Sequence, residues 1–590
     1  MPKGGERLSI RETRVVAGLS VALVAFGAWR VTVGADFGDG THVVALAMRM
    51  AQGDLPLADE MNLQALGSIT AVPFTWVWLR IIGVEGIVLA ARLWYVLVAV
   101  GCAALAYRAL RTAARPLPSL TAVVFMLLPT PYNLLVTSYN TMPVLAMGVA
   151  TCCAFAALRG DAARAGRWAA VSGAALAVAV LSHPTSVGAA VTLGVAALLL
   201  GGGSGPLRRG LLAGAAGVSI VALAVVLAAI GPDAVRRTLE YTLEYQAQRL
   251  SPGERLLGAL SRYGETLVSW TYAPAAVLAL VAALVPRPWR AAVGCAAVSA
   301  VVLGVFHTVL EAPMSTSPFG AISPAFGMLV IPVLLAPVLV WAVRDDDVDL
   351  AVLLSLTAPA ALVGYAVMTM SSSASTRWGS AAASFLPLLG ILAYAVADQV
   401  GERPRAPTAP LRPAAAAALV LILALVGTHT LRTFRDPIPF QLDDRIATGP
   451  QAGLLTQERF VTRDCLLEEV TAASLGPGDG VLFYGLPTGY AYSEAAMDTN
   501  ILWLSAFGAA NAATLEWIRD SGRAPEVVIV GQGTVDAAGG WDRLVAADPF
   551  VAMVDAGYGP PVPSGTGYFV LRRDGTRAIL PATTCTPPVR

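Results

Sequence analysis

Charged residues are scarce in this sequence. Of its 590 residues only 13% are charged and 56% are hydrophobic, and the mean hydropathy is +0.65. A soluble domain carries about 25% charged residues, so this chain could not cover a globule surrounded by water alone. A net charge of +1 also excludes the strongly basic surface of nucleic-acid-binding proteins. Long apolar runs recur along the chain, which predicts an integral membrane protein.

Lysine and cysteine are also rare. Lys3 is the only lysine, and arginine supplies the other cations. The abundance of alanine and glycine indicates a GC-rich bacterial genome, so arginine at a candidate site carries little weight by itself. Two of the six cysteines, Cys465 and Cys585, lie near the two ends of the C-terminal region, where a disulfide and two free thiols remain equal alternatives. The other four lie in apolar runs and are expected to be small core residues: Cys102, Cys152, Cys153 and Cys295.

The apolar runs predict about thirteen transmembrane helices, because a spanning helix needs about 20 apolar residues. One of them lies between an outer loop at 231–265 and Arg287. The other twelve are expected near 15–33, 86–107, 117–130, 141–158, 168–182, 186–203, 210–230, 291–308, 324–343, 350–369, 381–399 and 413–430.

Arginine predicts the orientation of these helices. Short loops rich in arginine stay in the cytoplasm, and the N-terminus carries Lys3, Arg7, Arg11 and Arg14. With the N-terminus inside, almost every short inner loop holds two or three arginines. A shift by one helix would reverse this bias, so residues 66–82 are interpreted as a helix on the membrane surface rather than as a span. The same topology places the C-terminus outside the cytoplasm. The protein itself is expected in the plasma membrane of a bacterial cell.

The sequence divides into two parts, a transmembrane domain at 1–430 and an extracytoplasmic domain at 431–590. In the second part the apolar runs shorten to strand length at Val481–Tyr484, Val527–Val530, Phe550–Val554 and Tyr568–Leu571. Helix-like stretches lie at 460–474 and 508–521. Strands that alternate with helices predict a small α/β domain. The predicted fold class is therefore a polytopic all-α membrane protein with a C-terminal extracytoplasmic α/β domain.

The first outer loop, residues 34–85, holds acidic residues directly after a span. Carboxylates next to lipid are costly unless they have a partner or a function. Asp39 could take a proton from an acceptor hydroxyl, or it could cap the helix that begins at Thr41. The residues alone leave these two roles equal.

The order of these segments resembles the GT-C glycosyltransferases, in particular the protein O-mannosyltransferase and lipid A aminoarabinose-transferase group. The resemblance rests on a span, an outer loop that opens with Asp, an amphipathic helix and the motif Gly53–Asp59, followed by an Arg92-Leu93 pair. It covers roughly residues 15–400. It implies a membrane enzyme that takes sugar from a lipid-linked donor.

The resemblance also implies roles for individual residues. Asp39 corresponds best to the catalytic base of that family, with Asp36 second, and Asp59 and Glu60 are expected to line the substrate cavity. In the second outer loop many members of the family carry an acid, where this chain has Asn140 after Tyr139. Asparagine can hold a sugar by hydrogen bonds but cannot accept a proton as a base.

Three arginines are candidates for the donor phosphate. Arg377, followed by Trp378, corresponds to an Arg-aromatic pair of the family, and arginine binds phosphate through two parallel hydrogen bonds. The alternative is a boundary arginine beside an interfacial tryptophan. Arg236 and Arg237 are weaker candidates, because the spacing of Arg236 and Glu240 predicts a solvated helix face.

The predicted function is transfer of a sugar from a polyprenyl-phosphate donor to an extracytoplasmic glycan, lipid or protein, with inversion at the anomeric carbon. No metal ligands are assigned and no particular cofactor is predicted, although a divalent cation is compatible with this chemistry. The alternatives are a transporter or lipid flippase, which would show internal repeats and acidic residues inside the spans, and a non-catalytic member of the same fold.

Overall fold

The computed structural model describes residues 10–247, most of 251–261, 273–286, 348–371, 382–401, 439–504, 509–559, 561–563 and 567–573, with some isolated positions. Its first eleven helices are α1 Ile10–Arg30, α2 Asp39–Gln52, α3 Ala65–Ser68, α4 Val72–Ile81, α5 Ile87–Leu110, α6 Pro116–Leu127, α7 Thr141–Arg159, α8 Ala162–Ser182, α9 Val187–Leu200, α10 Gly205–Val225 and α11 Pro232–Ala247. The next three are α12 Ala273–Leu284, α13 Val348–Ser371 and α14 Ala382–Gly401.

Several of these helices are apolar and long enough to cross a membrane, which agrees with a multi-pass membrane protein. Within the described ranges six meet this criterion: Glu12–Arg30, Ile87–Leu110, Thr141–Arg159, Ala162–Ser182, Gly205–Ile230 and Val348–Met368. Shorter apolar helices lie at Ala65–Ile81, Pro116–Leu127, Pro184–Leu200 and Ala382–Asp398. The predicted stretches 291–308 and 324–343 and most of 413–430 lie outside the described residues, so the total of thirteen stays a prediction.

Helix ends that were assigned to the same side of the membrane lie together. Arg115, which precedes α6, donates to the Asp398 carboxylate in α14 at 2.8 Å. At the end of α7, Arg159 pairs with Asp349 in the first turn of α13 at 2.5 Å. Each pair joins two helix ends that the sequence interpretation assigned to the same side of the membrane. The orientation of the helices in the membrane stays a prediction.

Glycine allows two of the helices, α8 and α10, to pack closely. A Cβ on Gly173 would lie 2.0 Å from the carbonyl oxygen of Leu211, and one on Gly214 would lie 1.9 Å from that of Ala170. No side chain fits at these positions. Small residues at helix contacts let backbones approach each other in membranes, where lipid is as apolar as leucine and packing drives association.

The C-terminal region contains a two-stranded sheet, β1 Asp444–Arg445 with β2 Leu455–Thr456, and a five-stranded sheet. The larger sheet has the order β4-β3-β5-β7-β6, in which β3 is parallel to β4 and β5, and β7 is antiparallel to β5 and β6. Its strands are β3 Gly480–Tyr484, β4 Ala496–Met497, β5 Val527–Gly531, β6 Val562–Pro563 and β7 Tyr568–Arg572. The helices are α15 Glu458–Ser474, α16 Ala509–Ser521, α17 Gln532–Ala538, α18 Trp541–Ala547 and α19 Pro549–Gly557.

One of the predicted strands is wrong. Phe550–Val554 lies in the helix α19, with Phe550, Val551 and Val554 buried on one face. Asp548 caps this helix by accepting hydrogen bonds from the backbone N–H groups of Phe550 and Val551, and Pro549 occupies the first turn. Asp followed by Pro is a helix-start signal, and here it outweighs the β propensity of the apolar run.

The first outer loop and the C-terminal region share one hydrophobic core. Buried side chains of α2, including Val44 and Met48, belong to the same cluster as Val481 and Phe483 of β3. Phe37 stacks on Phe460 of α15 with ring centroids 5.5 Å apart. The loop that was predicted to carry the catalytic carboxylates is therefore packed against the C-terminal region.

Candidate functional site

A polar pocket lies where α1 ends and α5 begins, on the side predicted to be extracytoplasmic. Its polar lining residues are Arg30, Asp36, Arg92 and Asn133, and its remaining walls are Val33, Gly34, Gly40, Leu134, Leu135 and Val136. All four polar residues are buried. The pocket thus brings together two cations and one anion from three separate segments of the chain.

The two guanidinium groups converge on one carbonyl group. Arg30 donates from Nη1 to the carbonyl oxygen of Val33 at 3.2 Å and from Nε to that of Thr430 at 2.7 Å. Arg92 donates from Nη1 to the carbonyl oxygens of Val31 and Val33 at 3.2 and 3.3 Å. These contacts hold both planar groups in defined orientations. Guanidinium groups held in this way suit the recognition of phosphate oxygens.

The carboxylate that lines this pocket belongs to Asp36 and not to Asp39. The Asp36 carboxylate accepts a hydrogen bond from Gly38 N at 2.9 Å and another from Gly40 N. Asp39 does not take the capping role that the sequence left open, because Gly38 is the N-cap residue of α2 and Asp39 is the first helical residue. Asp39 is partly buried and does not line the pocket. Of the two candidate bases, Asp36 is thus the one that lines this pocket.

Asn133 reaches the pocket from an unusual backbone turn. Tyr132 and Asn133 both have φ of 56°, in the left-handed region that non-glycine residues rarely adopt. Such residues cost about 1–3 kcal/mol each and occur preferentially at functional sites. The second outer loop thus contributes Asn133 to the pocket, which the sequence interpretation did not single out.

Tyr139 and Asn140 lie further along the same loop and do not line the pocket. Asn140 is the buried N-cap residue of α7, and its side chain does not cap that helix. The ring of Tyr139 stacks on His183 at a centroid distance of 5.6 Å. Gly67 packs against the backbone here, because a Cβ on it would lie 2.0 Å from Tyr139 N. These contacts attach the loop to its neighbours.

An apolar groove of about 330 Å³ runs between α1, α5 and α6 and meets the polar pocket. The two cavities share Arg30, Asn133 and Leu135. Side chains at its wall include Leu23, Phe26, Val96, Val100, Val123 and Leu127, with Tyr107 furthest from the polar end along α5. One end of this apolar groove is thus lined by Arg30, which also lines the polar pocket together with Arg92 and Asp36.

Asp59 and Glu60 lie elsewhere, at the contact between the first outer loop and the C-terminal region. The Glu60 carboxylate accepts from Arg49 at 2.9 Å and from the backbone N–H groups of Leu502 and Asn62, both at 3.1 Å. Burial raises the pKa of Glu60 to about 7, although Arg49 opposes that shift. Asp59 accepts from Leu55 N at 2.8 Å and pairs with Arg523 at 3.3 Å. Neither residue lines the pocket at Asp36.

Two of the three predicted phosphate-binding arginines, Arg236 and Arg237, do not line the pocket. Arg236 and Arg237 are exposed on α11, and Arg236 donates to Glu240 at 2.9 Å, as expected for a solvated helix face. Arg377 and Trp378 lie outside the described residues. Sequence reasoning did not identify Arg30 as a pocket residue. Its position was a signal, because it is a charged residue at the end of an apolar span, directly before the acidic loop.

The two cysteines of the C-terminal region form a disulfide, Cys465–Cys585, across a sequence separation of 120 residues. This resolves the two alternatives left by the sequence. Among the described residues the one cluster with three potential metal ligands comprises these cysteines and Glu469, and thiols joined in a disulfide do not bind a metal as thiolates.

No family model matches this sequence, and no curated protein is significantly similar to it. Among solved structures the chain is similar to an archaeal oligosaccharyltransferase, AglB, from Archaeoglobus fulgidus, described in complex with an inhibitory peptide and a dolichol-phosphate. That match has a TM-score of 0.38 and 11% identity, and it covers 94% of this chain and 74% of the other. The apo form of the Archaeoglobus fulgidus enzyme gives a TM-score of 0.36 and 10% identity, with coverages of 92% and 72%. A likeness at this level gives no information about substrate or chemistry.

Proposed function

We propose that this protein is a membrane glycosyltransferase that moves a sugar from a polyprenyl-phosphate donor to an acceptor outside the cytoplasm. The observation that carries the proposal is that the apolar groove adjoins the pocket formed by Arg30, Arg92 and Asp36, since both cavities are lined by Arg30, Asn133 and Leu135. A lipid-linked sugar has the same order of parts, which are an alkyl chain, a phosphate and a sugar.

The groove supports the lipid part of the donor. Its walls belong to α1 and α5, which are long and apolar enough to cross a membrane, and to the shorter apolar helix α6. A chain in this groove would lie beside the lipid tails of the bilayer. Its phosphate would then meet Arg30 at the end where the groove and the polar pocket join. Both arginines would stabilise negative charge on that phosphate as the bond to the sugar breaks.

The proposal assigns the role of the base to Asp36. In the proposed step, the Asp36 carboxylate takes the proton of an acceptor hydroxyl, and the hydroxyl oxygen forms a bond to the anomeric carbon of the sugar. The bond between that carbon and the phosphate oxygen breaks, and polyprenyl phosphate leaves with the electron pair. A single displacement of this kind inverts the anomeric configuration. A role for Arg377 in the same phosphate site stays a prediction.

The proposal includes the location of the reaction. The arginine pattern places the N-terminus in the cytoplasm. The pocket lies on the other side of the membrane, where α1 ends and α5 begins. The acceptor, a glycan, lipid or protein of the cell envelope, would therefore reach Asp36 from the extracytoplasmic side. The boundary between the transmembrane domain at 1–430 and the extracytoplasmic domain at 431–590 belongs to the same proposal.

The test is a transfer assay in membranes with a panel of radiolabelled polyprenyl-phosphate sugars. We expect Asp36→Asn to lower transfer by about 10²- to 10⁴-fold, the range for a lost general base. Asp39→Asn is the matched comparison, since Asp39 lies three residues away and does not line the pocket. Thermal unfolding in detergent verifies that both variants fold.

Arg92→Lys tests the donor site in the same assay. Lysine keeps the charge but loses the planar fork of donors, so we expect a higher KM for the lipid donor. Full transfer by folded Asp36→Asn would refute the assignment of the base. No transfer from any donor by the wild-type protein would count against the enzyme and favour the transporter alternative.

A further inference from the structure

The start of the C-terminal region is hydrogen-bonded to the ends of two spans. At the beginning of α5, Gly86 N donates to Gly449 O at 2.9 Å and Val88 N donates to Pro450 O at 3.0 Å. At the end of α1, Gly34 N donates to Leu455 O at 2.8 Å. The segment 449–455 therefore joins the two helices that supply Arg30 and Arg92 to the pocket.

Gln451, in the middle of this segment, contacts Asp36 directly. Its side chain is fully buried, and its Oε1 accepts a hydrogen bond from Asp36 N at 3.1 Å. Its Nε2 donates to the hydroxyl of Tyr492 at 3.2 Å. The Tyr492 hydroxyl in turn donates to the Asp464 carboxylate.

The order of donors and acceptors in this chain is determined by the backbone N–H of Asp36. A backbone N–H only donates, so the side-chain oxygen of Gln451 must face Asp36 and its NH₂ group must face Tyr492. The Tyr492 oxygen therefore accepts from Gln451, and its single proton is directed to Asp464. Burial raises the pKa of Asp464 to about 7, with further repulsion from Glu468 and Glu85 and an opposing hydrogen bond from Tyr492.

Other bonds complete the hold on Asp36. Its carboxylate accepts from Gly38 N and Gly40 N, and its carbonyl oxygen accepts from the Thr41 hydroxyl. These partners all belong to the same loop and move with it. Gln451, by contrast, contacts Asp36 from the C-terminal region, 415 residues further along the chain.

We propose that Gln451 is a positioning residue for Asp36, held in its orientation by Tyr492 and Asp464. The C-terminal region would then complete the catalytic site instead of serving only to recognise the acceptor. This inference rests on the proposed function, because Gln451 can affect catalysis only if Asp36 is the catalytic base.

The test compares Gln451→Met and Tyr492→Phe with the control Tyr490→Phe. Methionine keeps the length of glutamine without its hydrogen bonds. Tyr490 lies two residues before Tyr492, is buried, and accepts from Phe483 N at 3.0 Å, so its variant also loses one buried hydroxyl. That hydroxyl has no part in the chain from Asp464 to Asp36.

We expect Gln451→Met to lower kcat about 10- to 100-fold, the effect of a small misplacement of a reacting group. KM for the lipid donor should stay within about twofold, because the arginines and the groove are unchanged. Tyr492→Phe should change kcat in the same direction by a smaller factor, and Tyr490→Phe should leave kcat and KM unchanged. A purely structural role would lower the amount of active protein without separating kcat from KM in this way.

Hydrogen exchange of residues 33–41 supplies a readout that needs no activity. Loss of the Gln451 contact should speed exchange in this segment in Gln451→Met and Tyr492→Phe, and not in Tyr490→Phe. An unchanged kcat in folded Gln451→Met would overturn the inference while leaving the proposed function intact. If the wild-type protein transfers no sugar, the proposed function fails, and exchange alone decides whether Gln451 holds Asp36. Equal exchange in all variants would then overturn that contact too.

Discussion

Arg49 offers the sharpest test of how the first outer loop is attached. Its guanidinium group is almost completely buried and donates from Nη1 to Glu60 at 2.9 Å and from Nε to Asp54 at 2.8 Å. Its remaining nitrogen, Nη2, donates to the carbonyl oxygens of Met497, at 3.3 Å, and Thr499. One side chain thus joins α2, the following turn and the C-terminal region.

The variant Arg49→Met removes the charge and every one of these donors. Glu60 would remain at 1% side-chain exposure without the cation that faces it. Breaking a buried ion pair by removing one partner costs about 3–5 kcal/mol of unfolding free energy. We expect a loss in this range.

The exposed pair Arg236–Glu240 is the matched control. Its N–O distance is also 2.9 Å, but the two side chains are 63% and 58% exposed. Exposed helical pairs contribute only about 0.3–0.5 kcal/mol. Arg236→Met should therefore lower the stability by a small fraction of the effect of Arg49→Met, although both variants remove one arginine from an ion pair.

The deficit of Arg49→Met should also depend on pH. Burial already raises the pKa of Glu60 from 4.5 to about 7 in the folded protein. Removing the attraction of Arg49 raises that pKa further. A carboxyl with a raised folded pKa binds more protons folded than unfolded, so its contribution to stability falls as pH rises from the unfolded pKa through the folded one. The deficit should thus be larger at pH 8 than at pH 5.

The assay is unfolding of the detergent-solubilised protein, followed by tryptophan fluorescence and by protease cleavage between the spans and the C-terminal region. Equal stability of Arg49→Met and Arg236→Met would refute the reasoning. A deficit that grows as the pH falls would show that the charge of Glu60 does not cause it.

Two further predictions concern packing and the disulfide. Gly67→Ala should destabilise the contact between α3 and the second outer loop and lower the unfolding temperature, because the new Cβ would lie 2.0 Å from Tyr139 N. Gly18→Ala is the control and should have no such effect, because no atom lies within 4 Å of the Cβ it would add. Cys465→Ser should lower the unfolding free energy by about 2–4 kcal/mol, as is typical for loss of a disulfide, and reduction of the wild-type protein should reproduce that loss. Equal unfolding temperatures of the two glycine variants, or no response to reductant, would contradict these expectations.

The elements that the sequence predicted correctly are those with a one-dimensional signal. The amphipathic helix expected in the first outer loop is present as α2, Asp39–Gln52. Strands β3, β5 and β7 and helices α15 and α16 lie within two residues of their predicted positions. The failure at Phe550–Val554 has a local cause, because the apolar run was weighed without the Asp548-Pro549 signal before it.

The candidate site was predicted less well, because distance along the chain says little about distance in space. Asp39 and Asp36 are both acidic residues after a span, and only the folded structure shows that Asp36 is buried in the pocket and Asp39 is not. Glu60 looked like a cavity residue, yet its partner Arg49 lies on α2 and the Leu502 N–H comes from the C-terminal region. Neither partner can be inferred from the spacing of the acidic residues.

The sequence by itself determined that this is a multi-pass membrane protein, since hydropathy is a local property that no packing arrangement alters. The arginine pattern likewise predicted an orientation without any contact. The tertiary structure decided which carboxylate faces the two arginines, because Arg30 bonds to Thr430 across 400 residues and Asp36 bonds to Gln451 across 415. Those contacts depend on how the helices and the C-terminal region pack together, which no local pattern encodes.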